Sequence, residues 1–281
     1  MKKIFKILKW ISVVLLVILL IGIGYVRFSR MLDYSFGGNT DTSYKVLETK
    51  LEYKDLYFDL DSEIRIHGVL FKPDTTEIIA TIYHHLGQGL TAEYTKQFYK
   101  PLLDNGFQVF AVERRGDGNS NGISNNLLTL KKDALSVFDS FIERKDVKNK
   151  PIIIWGQSLG GAFATMNASE RNDKINGLII EGTFNSLTRV GQHFVPQIKY
   201  LIPLILNDDF PAEKEIKKIT QSIVIIHSED DDQIPITLGE ELYNASNKTN
   251  TSFWKIRGEH IEGILNYEKE YITKFKQLIK K

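Results

Sequence analysis

Short apolar runs rich in β-branched residues recur along the chain from about residue 52 and predict eight β-strands. Stretches with helical character lie between the later runs and begin near Leu127, Leu159 and Ile236. The strand runs are LYFDL near 56, IRIHGVLF from 64, IIATIY from 78, FQVFAV from 107, PIIIWG from 151, NGLIIEG from 176, SIVIIHS from 222 and TSFWKI from 251.

The order of these runs predicts an α/β fold. Strands that alternate with helices form a mainly parallel sheet with helices on both faces, and the first two runs resemble an antiparallel hairpin at its edge. Ligands on such a sheet bind at the carboxyl ends of the strands. The residues that directly follow the strands are therefore the place to look for chemistry.

A much longer apolar run lies near the N-terminus. Residues 10–26 read WISVVLLVILLIGIGYV, seventeen residues without a charge, and give about 25 Å of apolar helix. A core helix or a cleaved signal peptide would show a similar run, but the following RFSRMLDYSF lacks a small-x-small cleavage site. We interpret the run as an uncleaved, single-pass anchor. Four lysines precede it and two arginines follow it, which favours a cytoplasmic N-terminus and an extracytoplasmic domain at the cell membrane.

These patterns divide the chain into three parts. Residues 1–30 form the anchor, residues 31–50 are polar and aperiodic and read as a tether, and residues 51–281 form one folded domain. The 281 residues are 42% hydrophobic and 25% charged, which is ordinary for a globular protein.

Charge and cysteine content narrow the possible functions. The first thirty residues hold six basic residues and no acid, so the rest has 30 basic against 35 acidic residues. That mildly acidic body offers no basic stripe for nucleic acid. The absence of cysteine excludes disulfides, thiolate catalysis and Cys-ligated metal. No spacing among the six histidines and nearby acids indicates a metal site, and we expect no cofactor.

The strongest chemical signal is PIIIWGQSLGG at residues 151–161. An apolar strand, a G-x-S-x-G pentapeptide and a helix of small residues form the context of a nucleophile elbow, which presents a serine on a strained turn. Gly156 and Gly160 stand where side chains would collide. A glycine-rich turn with an idle serine is the alternative, and the strand before and helix after it favour Ser158 as a nucleophile.

A serine nucleophile needs a general base and an acid that orients the base. The sequence SEDDDQIPI follows the strand SIVIIH, and RGEHIEG follows the strand FWKI, so both stand past strand ends. His260 is the candidate base, with a lone surface histidine as the alternative. The order serine, acid, histidine is that of α/β hydrolases.

In five ordered blocks the sequence resembles the α/β-hydrolase superfamily, near its short-lidded, membrane-anchored serine-aminopeptidase-like and lysophospholipase-like members. The resemblance covers about residues 52–280 and implies a mostly parallel eight-stranded sheet with a short lid at residues 184–212. The family motifs are H-G-x-G, D-x-R-G-x-G-x-S, G-x-S-x-G, H-G-x-x-D-x-x-[IV]-P and G-x-H. The matching blocks are HHLGQG from 84, VERRGDGNSNG from 112, GQSLGG from 156, HSEDDDQIP from 227 and GEH from 258.

The resemblance implies a role for each matching residue. Ser158 becomes the nucleophile, His260 the general acid and base, and Asp231 the orienting carboxylate. Asp231 lies four residues after His227 and four before Pro235, as the family motif requires. The backbone N–H groups of two leucines would form the oxyanion hole. The two leucines are Leu86 and Leu159. For the acid, the alternatives to Asp231 are its neighbours Asp230 and Asp232 and, at the end of another strand, Glu181.

Two departures from the family pattern put local backbone shape in doubt. His85 and Ser228 stand where the family has glycine, and each is tolerable if its φ is negative. We expect His67, His84 and His193 to be structural.

The resemblance implies a serine hydrolase acting on a small-molecule or lipid ester. A peptidase or amidase of the serine-aminopeptidase-like type is the alternative activity, and a non-catalytic, membrane-tethered binding module is the alternative without chemistry. A dehalogenase would need aspartate in place of Ser158. Apolar lid residues such as Phe194, Tyr200, Leu201 and Leu204 are candidates for acyl-chain binding, membrane contact or plain core packing.

Overall fold

The computed structural model describes residues 2–30, 32, 50–74, 77–123 and 126–279. The predicted tether at residues 31–50 lies outside the described residues except at Leu32 and Lys50.

The eight predicted strands form one sheet in the order β1-β2-β4-β3-β5-β6-β7-β8. The predicted edge hairpin is confirmed, since β2 runs antiparallel to β1. It is also antiparallel to β4, and all later pairings are parallel. The strands are β1 Tyr53–Asp59, β2 Arg65–Phe71, β3 Ala80–His85, β4 Phe107–Val112, β5 Ile152–Gln157, β6 Gly177–Glu181, β7 Ser222–Ser228 and β8 Thr251–Ile256.

Helices connect the strands. Those predicted near Leu127, Leu159 and Ile236 are α4, α5 and α9. The α-helices are α1 Lys2–Ser29, α2 Ala92–Thr95, α3 Lys100–Asp104, α4 Leu127–Ile142, α5 Leu159–Glu170, α6 Leu187–Phe194, α7 Ile202–Ile205, α8 Ala212–Glu215, α9 Ile236–Ala245, α10 Gly263–Asn266 and α11 Glu268–Ile279. Short 3₁₀ turns span Lys96–Phe98, Asn172–Lys174, Pro196–Ile198 and Ile216–Lys218.

The central strands of the sheet are buried on both faces, and their side chains alternate between two cores. On β5, Ile153 and Trp155 join the core that includes α3 and α11, whereas Ile152 and Ile154 join the core that includes α4 and α9. Successive strand side chains point to opposite faces. Both faces are apolar, which explains why the central strands are continuous apolar runs rather than alternating ones.

The N-terminal apolar run is one helix, α1, without a buried residue. Among the described residues it is the one helix long and apolar enough to cross a membrane. Its 28 residues give a length of about 42 Å.

Candidate active site

Ser158 lies on a strained turn between β5 and α5. Its φ of 52° and ψ of −125° are outside the regions that a non-glycine residue ordinarily occupies. Strain of this kind is retained where the surrounding structure holds it, commonly at functional sites. The strand–turn–helix context predicted for the nucleophile elbow is therefore present.

The glycines on either side of Ser158 are required by close backbone contacts. A Cβ on Gly156 would lie 2.5 Å from both the Cβ of Ala164 and the carbonyl oxygen of Gly160. A Cβ on Gly160 would lie 2.1 Å from the carbonyl oxygen of His85. Neither glycine has a positive φ, so steric closeness rather than backbone conformation dictates these residues.

Asp231 and His260 meet beyond the ends of β7 and β8. The Nδ1–H of His260 donates to Oδ2 of Asp231 over 2.6 Å. The other carboxylate oxygen accepts from the backbone N–H groups of Gln233 at 3.0 Å and Ile234 at 2.8 Å. Those bonds fix the carboxylate, and the carboxylate fixes the imidazole with its Nε2 available for proton transfer.

Charge and hydrogen bonding keep Asp231 ionised despite its burial. Burial raises the pKa of this carboxyl group. The hydrogen bond and charge of His260, the Ile234 N–H and the nearby His227 together outweigh that effect, and the net pKa is lowered. Asp231 is thus suited to hold a cationic imidazole during proton transfer.

Additional bonds connect the acid loop to the histidine loop. The Ser228 hydroxyl donates to the Gly258 carbonyl over 2.5 Å, and the Gly258 N–H donates to Asp230 over 3.2 Å. Ile261, directly after the histidine, has a φ of 56°, which is a genuine outlier for a β-branched residue. The loop that carries His260 is therefore held in a specific, strained shape.

Ser158 and His260 line one cavity of about 200 Å³. The remaining lining is mostly apolar, with Gln88 and Gln233 as polar members. Two walls come from the predicted lid and from the loop before α9. The apolar lining residues are Leu90, Leu159, Phe184, Leu187, Val190, Phe194, Ile234 and Ile261.

The two predicted oxyanion residues differ in position. Leu159 begins α5 and lines the cavity, so its N–H belongs to a helix N-terminus beside Ser158. Leu86 is buried and absent from the cavity lining, whereas Gly87 lines it. The Arg114 guanidinium donates to the carbonyls of Leu86 at 2.5 Å and Gly87 at 2.9 Å, which fixes this turn. The Leu86 amide stays a prediction, and the Gly87 amide is a second candidate.

Glu181, the alternative acid, is buried next to the site but bonded elsewhere. It accepts from Gln157 Nε2 at 2.8 Å and from the Gly263 N–H at 2.9 Å. Gln157 Nε2 also donates to the Ile261 carbonyl at 2.9 Å. Burial raises the pKa of Glu181, and these bonds oppose the rise only in part. This network links the elbow to the histidine loop, and no local sequence pattern predicts it.

The remaining histidines occupy varied environments. His84 is buried and stacks on Trp155 with ring centroids 4.0 Å apart. Buried His67 bonds Glu113 at 2.7 Å and Asp55 at 2.9 Å, while His193 lies exposed on α6.

Neither family departure strains the backbone, since His85 and Ser228 are not among the non-glycine residues with positive φ. Among the described residues, no group of three or more His, Cys, Asp or Glu side chains is arranged to hold a metal ion.

Known proteins with a similar sequence or a similar structure include hydrolases. The family model described as serine aminopeptidase, S33, matches residues 77–211. The lysophosphatidylserine lipase ABHD12 of Gallus gallus is 30% identical over 214 residues, 70% of this chain and 55% of that relative. The esterase Pf2001 of Pyrococcus furiosus superposes with a TM-score of 0.68 at 16% identity, over 87% of this chain and 96% of its own. The chain therefore has an α/β-hydrolase fold.

Other similar proteins match this chain over different lengths. Protein bem46 of Schizosaccharomyces pombe is 25% identical over 240 residues, 82% of this chain and 79% of that protein. The chain spans only about half of the length of the vertebrate lysophosphatidylserine lipases that it matches.

Proposed function

We propose that this α/β hydrolase is a membrane-anchored serine hydrolase that cleaves carboxylic esters. The observation that carries the proposal is the pairing of His260 with the buried Asp231 at 2.6 Å, on the cavity that Ser158 also lines. A non-catalytic binding module would have no need for a strained serine, a paired imidazole and an ionised acid in one place. The triad is therefore Ser158, Asp231 and His260.

In the proposed reaction, Ser158 Oγ attacks the ester carbonyl carbon while His260 Nε2 accepts the hydroxyl proton. The Leu159 N–H and a second backbone N–H, of Leu86 or Gly87, stabilise the negative charge on the carbonyl oxygen. Collapse of the tetrahedral intermediate breaks the bond to the alcohol oxygen, which takes the proton from His260. Water then attacks the acyl-enzyme by the same steps and releases the acid.

The cavity suggests which esters fit. Its volume of about 200 Å³ is below the 300–1,000 Å³ usual for pockets that enclose a drug-sized ligand. A short acyl group fits inside, and a long one must extend past the lid. Apolar lining favours an acyl chain over a charged peptide. The named lipase relatives act on lysophosphatidylserine, and we propose a lipid ester with one long acyl chain as the natural substrate class.

A peptidase or amidase is the second candidate, favoured by the serine aminopeptidase family model that matches residues 77–211. The same triad can cleave an amide. The two activities therefore have to be separated by measurement.

The long apolar helix α1 supports a location for the reaction at a membrane surface. We propose that α1 spans the cell membrane with Lys2, Lys3, Lys6 and Lys9 on the cytoplasmic side, followed by the tether at 31–50 and an extracytoplasmic catalytic domain. A domain held at the lipid surface meets its lipid substrate without extracting it far into water.

The test is a substrate panel on the full-length protein in nanodiscs. It comprises p-nitrophenyl esters of increasing acyl length, lysophospholipids with the phosphoserine headgroup and others, and aminoacyl p-nitroanilides. We expect ester hydrolysis that is lost in Ser158→Ala, with anilides turned over far more slowly. Faster anilide cleavage would favour the amidase, and a catalytically silent wild-type protein would contradict the proposal.

A further inference from the structure

The end of the anchor helix contacts the predicted lid directly. Arg27, in the last turn of α1, donates from Nη1 to the carbonyls of Pro203 at 3.3 Å and Leu206 at 2.9 Å. In return, Asn207 Nδ2 donates to the Arg27 carbonyl at 3.0 Å. Three hydrogen bonds thus connect one arginine to the segment around α7.

An ion pair adds to this contact. Arg30 follows the last residue of α1 and has a φ of 55°, a left-handed conformation that commonly terminates helices. Its guanidinium pairs with the carboxylate of Asp209, and both side chains are largely buried. Helix α1 therefore ends at the point where it is fixed to the lid.

The same short segment also holds a wall of the active-site cavity. Asp208, between Asn207 and Asp209, accepts from the N–H groups of Leu187 at 3.1 Å and Thr188 at 3.0 Å. Both N–H groups lie in the first turn of α6, where a donor has no partner within the helix. Helix α6 supplies Leu187, Val190 and Phe194 to the cavity. Residues 207–209 therefore link the anchor to the pocket wall.

The lid beside this contact exposes large apolar side chains. Tyr200 is 82% exposed, Phe194 58% and Leu204 50%, with Val195 and Ile198 also exposed. Clustered exposed apolar residues mark interaction or membrane surfaces. Phe194 belongs both to this surface and to the cavity lining, so the surface is continuous with the mouth of the active site.

We propose that the end of the anchor and the lid form one unit, which lays the apolar lid surface onto the bilayer and turns the cavity mouth toward the lipid. The proposal rests on the membrane-spanning role proposed for α1. Arg27 directly follows the apolar span, and arginine at that position lies at the lipid–water interface. Whatever is hydrogen-bonded to Arg27 lies at the same depth. A long acyl chain then passes from the bilayer over Phe194 to Ser158 without crossing water.

The absence of native cysteine allows a direct test. Tyr200→Cys and Leu204→Cys are each labelled with an environment-sensitive nitrobenzoxadiazole dye in the full-length protein in nanodiscs. Lys145→Cys is the matched control, because Lys145 is exposed in the segment between α4 and β5, which enters the amino end of β5 and so lies opposite the active site. Emission wavelength, quenching by nitroxide lipids and quenching by aqueous iodide are measured for all three.

We expect both lid positions to show blue-shifted emission, quenching by nitroxide lipids and protection from iodide, and the control to show the reverse. Adding Asn207→Ala with Asp209→Ala, which leaves the anchor sequence intact, should return both lid positions toward the control. Water-like emission and free iodide quenching at the lid, in particles that have incorporated the anchor, would overturn the inference alone. Failure of the protein to enter nanodiscs would overturn it together with the proposed anchoring. Ester hydrolysis is scored separately, so a failed triad assignment leaves these optical results unaffected.

Discussion

Three consecutive aspartates follow β7, and their surroundings distinguish one of them. Asp231 turns inward to His260 and to two backbone N–H groups. Asp230 instead bonds Arg257 over 2.8 Å and the Gly258 N–H at the surface. Asp231 thus contacts the imidazole, whereas Asp230, one position earlier, is hydrogen-bonded to the loop that carries His260.

Asp231→Asn should lower kcat for a soluble ester by a factor of order 10⁴, because the amide no longer holds the imidazole in the reactive tautomer. Asp230→Asn is the matched control, and its kcat should stay near that of the wild type. Steady-state kinetics on both variants measures the difference. A dead Asp230→Asn beside an active Asp231→Asn would show that the assigned acid is displaced by one residue.

Glu181 offers a second test through pH. Because burial raises its pKa in the folded protein, folding favours the protonated form. The stability that Glu181 contributes to the folded protein is fully present below the pKa of about 4.3 that a glutamate has in the unfolded chain. It is lost as the pH rises through the higher pKa that Glu181 has in the folded protein. Glu181→Gln, which mimics the neutral acid, should therefore become progressively more stable relative to the wild type as pH rises from 4. Urea unfolding of both proteins over pH 4–8 checks this, and a pH-independent difference would contradict it.

At the scale of elements, the elbow depends on the close packing of α5 against the turn after β3. Gly160 makes this possible, since a Cβ at this position would lie 2.1 Å from the carbonyl oxygen of His85 and 2.4 Å from that of Leu86. The elbow and the oxyanion turn are thus one packed unit, fixed further by Arg114.

Gly160→Ala should disrupt this unit, because the added Cβ meets backbone rather than a movable side chain. Overpacking lowers the free energy of unfolding by roughly 1–3 kcal/mol, which corresponds to a fall of about 2–12 °C in melting temperature for a domain of this size. The rate of ester hydrolysis should fall as well. Gly24→Ala on α1, where a Cβ meets nothing within 4 Å, is the control. Wild-type stability and activity in Gly160→Ala would refute the close approach.

The strands could be predicted because most of them are buried apolar runs, and the order of elements predicted where Ser158 and His260 would lie. The spacing of the family motif from His227 to Pro235 also predicted Asp231 rather than its neighbours, and Asp231 is the carboxylate that contacts His260. The Gln157–Glu181 network and the Ser228 bond to Gly258 could not be predicted, because they join residues far apart in sequence. The shape of the oxyanion turn depends on where Arg114 reaches, which local patterns do not encode.

At the scale of the whole molecule, the apolar helix α1 favours an apolar environment, whereas the mildly acidic domain favours water. The basic residues at their junction contact both parts. Arg27, in the last turn of α1, and Arg30, just after it, bond residues of the predicted lid. The hydropathy of the sequence predicted a long apolar helix here, but not that the end of this helix contacts residues 203–209, about 180 positions away.

The proposed orientation predicts that protease added to intact cells or spheroplasts digests the catalytic domain. Four lysines before the span hold the N-terminus inside by the positive-inside rule. Mass spectrometry of the mature protein should give the full 32.2 kDa. A protected domain would reverse the topology, and a mass lacking about the first thirty residues would indicate a cleaved signal.

The most direct test of the hydrolase assignment is covalent labelling of the full-length protein with a fluorophosphonate probe. Only a serine activated by a neighbouring base reacts readily. We expect labelling of the wild type, full labelling of Ser62→Ala, a serine exposed in the turn between β1 and β2, and none of Ser158→Ala, which should also lose ester hydrolysis. Labelling that persists in Ser158→Ala, or a wild-type protein that is not labelled, would contradict the account.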